Sequence, residues 1–150
     1  MACNKPQEYT KEQLDKLKEK YKINTDKQEI KDNLEWIAPQ ESPFNEVDNK
    51  YYFVVWLDDK ENNWKIIKLK NDIDLYEPSK WKLDESSNYY LGMGRNGIYI
   101  RNISGFIKYA KTFNNGDSDS YFKVYRWNIN TDFPNLVVDS KTGEINVEDE

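Results

Sequence analysis

Residues 51–57 read YYFVVWL, seven consecutive apolar or aromatic side chains with no charged break. β-Branched and aromatic residues suit a pleated strand, and an unbroken run of this length fits a strand buried on both faces. Such a strand needs neighbours on its edges and cover above and below. Residues 58–63 form a polar turn, and residues 64–69 return as the expected hairpin partner. Residues 121–129 (YFKVYRWNI) alternate well enough for another strand. Residues 136–139 and 144–147 pair across Ser140-Lys141-Thr142-Gly143, a turn where glycine is useful for its positive φ. Residues 89–91 and 98–100 flank a glycine-rich turn and predict one more hairpin, whereas 106–113 (FIKYAKTF) fit helix and strand templates about equally.

The cover is expected from the N-terminal side. Thr10-Lys11-Glu12-Gln13 matches a capping box, and Leu14, Leu17 and Tyr21 follow on one face, predicting a helix over 10–22. Asn24-Thr25, with Gln28 three residues after Thr25, opens a second start signal; Ile30, Leu34 and Ile37 then predict a second helix, ended by Pro39. Up to residue 37 lysines and acids balance, eight against eight, as on a solvated, salt-bridged helix surface. Residues 38–49, with Pro39 and Pro43, read as a connector. Helices followed by a run of hairpins predict an α+β fold: two short N-terminal helices packed on a mainly antiparallel sheet of about six or seven strands. Residues 1–9 read as a flexible tether and 10–150 as a single globular domain.

Composition narrows the chemistry. Of 150 residues a third are charged, yet 15% are aromatic, which supplies enough apolar area to offset the entropy of ordering the chain. The formal net charge of −5 and only three arginines (Arg95, Arg101, Arg126) argue against direct nucleic-acid binding, since phosphate contacts need clustered cations. They are compatible with a basic partner or with a decoy that imitates nucleic acid. The chain has no histidine, so the commonest general base and imidazole metal ligand are missing. Its single cysteine, Cys3, excludes an internal disulfide and any multi-cysteine zinc site. Neither a metal nor a cofactor is expected. No apolar run approaches the ~20 residues a membrane-crossing helix needs.

Each motif has a plain explanation. Gly92-Met93-Gly94-Arg95-Asn96-Gly97 fits G-x-G-x-x-G, but Ile98-Tyr99-Ile100 follows where a dinucleotide site needs a helix, so it reads as a hairpin turn. Asn114-Asn115-Gly116-Asp117-Ser118-Asp119-Ser120 has the oxygen density of a calcium loop without its glycine and glutamate spacing. Asp58-Asp59, Asp72/Asp74 and Asp84-Glu85 are carboxylate pairs that nothing in the sequence places around a scissile bond. The aromatic and arginine residues outside the core strands are better candidates for contact. Trp81 lies in the irregular stretch 71–87, while Tyr89 and Tyr99 neighbour Arg95 and Arg101, and these residue types dominate protein–protein hot spots.

Met1-Ala2-Cys3-Asn4-Lys5, followed by a polar stretch, resembles the processed start of a bacterial lipoprotein, in which a small residue precedes the acylated cysteine. The resemblance covers about five residues and departs from the pattern in having no hydrophobic signal segment ahead of the cysteine. It implies lipid attachment at Cys3 and a place in the cell envelope. The expectation is a non-catalytic protein-binding module, an envelope lipoprotein of inhibitor or toxin-immunity type. Two alternatives are a cytosolic phage or mobile-element inhibitor of a nucleic-acid-binding defence protein and, third, a carbohydrate-binding module.

Overall fold

The computed structural model describes residues 8–58, 62–76, 89–94, 97–102, 109–112 and 122–148. It is an α+β structure in which every strand pairing is antiparallel among the described residues. Four strands form the central sheet: β1 (Leu34–Ile37), β2 (Tyr51–Asp58), β3 (Asn63–Lys70) and β7 (Phe122–Trp127), in the order β1-β7-β2-β3. The aromatic run is thus a central strand, paired with β3 on one side and β7 on the other.

Alternation along β2 sorts its side chains into two cores. Tyr52, Val54 and Trp56 join Ile37, Phe44, Leu75, Phe122 and Val124 on one face. Phe53 and Val55 join Ile30, Leu34, Trp36, Tyr125, Trp127, Ile145 and Val147 on the other. Residues 52–56 are all buried, as the continuous apolar pattern requires.

Helix α1 (Lys11–Lys20) and helix α2 (Gln28–Asn33) cover the second face together with a hairpin of β8 (Leu136–Val138) and β9 (Ile145–Val147). The Thr10 side chain accepts from Gln13 N at 3.2 Å and the Gln13 side chain accepts from Thr10 N at 2.9 Å, closing the capping box. Leu14 and Leu17 then pack onto the core. Gln40 grips the main chain of Tyr9 from both sides, accepting from its N–H and donating to its carbonyl, and so sets where the chain enters the fold.

The second helix ends earlier than its stripe predicts. Residues 34–37 leave the helix and pair with β7, with Leu34 opposite Trp127 and Trp36 opposite Tyr125. The waiting edge of β7 and the large side chains of Leu34, Trp36 and Ile37 outweigh local helical spacing, and tertiary pairing overrides a weak propensity. Its start also differs: Thr25 is buried and its hydroxyl accepts from Lys27 N at 3.1 Å, a local turn, while Lys27 occupies the cap position with no side-chain bond.

A separate three-stranded sheet holds β4 (Tyr89–Gly94), β5 (Gly97–Asn102) and β6 (Tyr109–Thr112), in that order. The described strands therefore number nine, in three sheets, against the expected six or seven in one. Residues 109–112 of the ambiguous stretch are strand; 106–108 and 113 lie outside the described residues.

The connector 38–49 is braced. Asn71, fully buried, donates from its side-chain amide to the carbonyls of Pro43 and Glu46 at 3.1 and 3.0 Å. Its main chain bonds Asn49 and Lys50.

Candidate functional site

On the helix-covered face an open cleft of about 270 Å³ runs between the end of α1 and the β8–β9 hairpin. Lys20, Tyr21, Lys22, Ile23 and Asn24 form one wall, Thr142 to Ile145 the other, and Lys123 and Tyr125 of β7 the floor. The volume falls just short of the ~300 Å³ at which small-molecule and cofactor pockets begin. It suits a few side chains of a larger partner.

Each wall has an identifiable cause. Tyr21 caps α1 through its N–H to the Leu17 carbonyl and stacks on Trp36 with ring centroids 4.8 Å apart. The Tyr125 hydroxyl donates to the Tyr21 carbonyl at 2.9 Å, pinning the helix end to the sheet. Burial pushes the Tyr125 phenol well above its ordinary range, so it stays a neutral donor.

Across the cleft, Gly143 has φ +79° and lies flat against Trp64, where an added Cβ would stand 2.7 Å from the ring. Trp64 N donates to the Ser140 carbonyl at 2.7 Å, tying the turn to β3. Asp139 accepts from Lys141 N and Thr142 N at 2.8 and 3.1 Å; these backbone bonds hold its carboxyl below the usual range and fix the turn.

The electrostatics of the cleft oppose those of the whole chain. Three lysines line it, Lys20, Lys22 and Lys123, against one acidic residue, Glu144. Lys22 has a partner outside the lining, Glu19 at 3.1 Å, an exposed pair of small consequence. Lys123 Nζ stands 5.9 Å from the Tyr21 ring centroid and 5.3 Å from that of Trp64, within cation–π reach of both. Lys20 Nζ is 5.3 Å from the Tyr21 ring. The arrangement offers charge and flat apolar surface to an anionic group.

A second polar cluster lies at the β1 edge. Glu35 receives Lys18 at 2.8 Å, Arg126 at 2.9 Å and the Asn128 amide at 2.9 Å. Burial works to raise its pKa, but these bonds outweigh it and hold Glu35 down to about 2. Lys18 also reaches Glu41 and the Trp36 carbonyl, at 2.9 and 2.8 Å. Every member is engaged in joining α1, β1 and β7, so the cluster serves the fold.

The residues singled out from sequence fall elsewhere. Cys3, Trp81 and Arg95 lie outside the described residues. Tyr89 begins β4, and Tyr99 and Arg101 lie two apart on β5, paired with Gly92 and Tyr90; Tyr89 pairs with Asn102, one register position out of step. Residues 92–94 and 97–102 are strand on both sides of the glycine-rich turn, with no helix following it. Of the carboxylate pairs, Asp58 is buried 3.1 Å from Lys65 Nζ, Asp72 is half-buried, and Asp59, Asp84 and Glu85 lie outside the described residues. No group of three metal-ligating side chains occurs among the described residues. The cleft residues carry no motif in sequence; only the crossing of β7 beneath the α1 end brings Lys123 to Tyr21.

In comparisons with known proteins, no family, no curated protein and no solved structure matches this chain.

Proposed function

We propose that this chain is a non-catalytic protein-binding domain of inhibitor or toxin-immunity type, and that it holds an acidic segment of its partner in the cleft between α1 and the β8–β9 hairpin. The observation that carries this reading is the convergence of Lys20, Lys22 and Lys123 beside Tyr21 and Trp64. A chain of net charge −5 that concentrates cations in one recess focuses an attractive field there for anionic groups. Aromatic rings beside them add contact area at little conformational cost, the usual make-up of an interface centre. Anchoring in the cell envelope through Cys3 belongs to the same proposal and rests on Ala2-Cys3 and the polar residues behind them.

Fluorescence anisotropy with labelled octaglutamate and octalysine peptides tests it. Octaglutamate is expected to bind and octalysine to fail. Replacing Lys123 and Lys20 by alanine should weaken binding about tenfold or more, as loss of a charge-assisted contact worth ~1.5–3 kcal/mol implies. Equal affinity for the two peptides, or binding indifferent to both lysines, would overturn the reading.

A further inference from the structure

Resting on that reading, we infer that the cleft also pairs with the cleft of a second copy of this chain, each copy setting its Glu144 against the lysines of the other, and that this pairing masks the site until an acidic partner displaces it. The charges of the two walls carry this. Lys20 and Lys22 stand on the α1 side, Lys123 on the floor and Glu144 on the hairpin side. Lys20, Lys22 and Glu144 are all exposed. Neither Lys20 nor Glu144 makes an ion pair among the described residues, with each other or with any neighbour. Lys22 meets only the exposed Glu19 beside it. Lys141, the only cation of the turn 140–143, lies outside the lining.

Alternation along β9 continues the acidic side. Ile145 and Val147 are buried in the core, which fixes the strand, while Glu144, Asn146 and Glu148 are exposed. Glu148, like Glu144, has no ion pair among the described residues. An acidic segment alone would satisfy the lysines and leave Glu144 facing a like charge. A second copy answers both walls at once.

A cleft with one basic and one acidic wall is complementary to itself. Half a turn about an axis lying along the cleft lays the basic wall of each copy over the acidic wall of the other. Every contact is then made twice, as in the isologous interfaces of two-fold dimers. The second copy thus contributes a carboxylate to the site. The net charge of −5 on each chain opposes approach from a distance. Salt at physiological strength screens that repulsion beyond ~8 Å, while charges in contact across the walls lie within this length. Exposed ion pairs are individually weak, so the dimer is weak and a run of acids displaces it.

The test is sedimentation equilibrium of the whole chain up to about 1 mM, where mass action reveals even a weak pair. The wild-type chain should self-associate reversibly, and octaglutamate should return it to monomer. Two variants follow, Glu144→Lys, with two basic walls, and the double variant Lys20→Glu/Lys22→Glu, with two acidic ones. All three positions are exposed, so both variants should keep the fold, which circular dichroism checks. Each alone should lose roughly tenfold or more in self-association, and their mixture should form a heterodimer at least as tight as the wild-type dimer. A wild-type chain that stays monomeric and variants that do not combine, with octaglutamate still bound through Lys20 and Lys123, would overturn the pairing and leave the acid-binding cleft standing. A dimer indifferent to both variants, or one that octaglutamate leaves intact, would overturn the masking of this cleft. Absence of both association and octaglutamate binding would overturn both readings.

Discussion

At Glu35 burial favours the neutral acid, yet Lys18, Asn128 and Arg126 hold the side chain ionised, with its pKa lowered from 4.5 to about 2. A depressed acid contributes stability above its unfolded pKa and loses it as the pH falls toward the folded value. The pH window is thus from about 4.5 down to about 2, and the contribution is of order 2–3 kcal/mol at most because the side chain keeps some contact with solvent. Urea unfolding of Glu35→Gln across that range should show lower stability at neutral pH and a flatter decline in acid. A parallel decline in both proteins would assign the acid sensitivity elsewhere. Cys3 calls for a different measurement, intact mass and detergent partitioning of protein expressed from the native gene. Acylation is expected to appear as a mass gain that vanishes in Cys3→Ala; an unmodified soluble product would remove the anchor from the proposal.

Among the elements, the β8–β9 hairpin depends most on a single position. Gly143 combines a left-handed φ with direct contact against Trp64. Alanine there meets backbone strain and an occupied ring face, so Gly143→Ala should cost about 2–3 kcal/mol by denaturant unfolding and weaken peptide binding by displacing a cleft wall. Wild-type stability in that variant would show that the turn relaxes freely. At the opposite wall, Tyr125→Phe removes the bond to the Tyr21 carbonyl and should cost about 1 kcal/mol in the same measurement. The hairpin was legible in sequence, because Ser140-Lys141-Thr142-Gly143 between two apolar runs has a local cause. The end of α2 was not: Leu34 and Ile37 continue a helical stripe, and only the neighbouring edge of β7, about ninety residues away in sequence, makes Leu34–Ile37 a strand.

On the scale of the whole molecule, the unbroken apolar run 51–57 foretold a strand buried on both faces, and with it the mainly antiparallel α+β build. The division of strands among three sheets was hidden, since strand order depends on long-range pairing that periodicity does not record. The cleft was hidden for the same reason. Lys20, Lys22 and Lys123 look like ordinary surface lysines until β7 is laid under the end of α1. Because their action is electrostatic and open to solvent, binding of an acidic peptide should weaken steadily as salt is raised and the screening length shrinks to ~8 Å at physiological ionic strength. Affinity unchanged by salt would point to apolar contact alone.

The most direct measurement is amide chemical-shift mapping of the ¹⁵N-labelled chain titrated with octaglutamate. A segment held in the cleft should move the signals of residues 20–24, Lys123 and residues 142–145 together, with one shared affinity. Shifts gathered instead on β4 and β5, around Tyr99 and Arg101, or no shifts at all, would contradict the assignment of this cleft as the binding site.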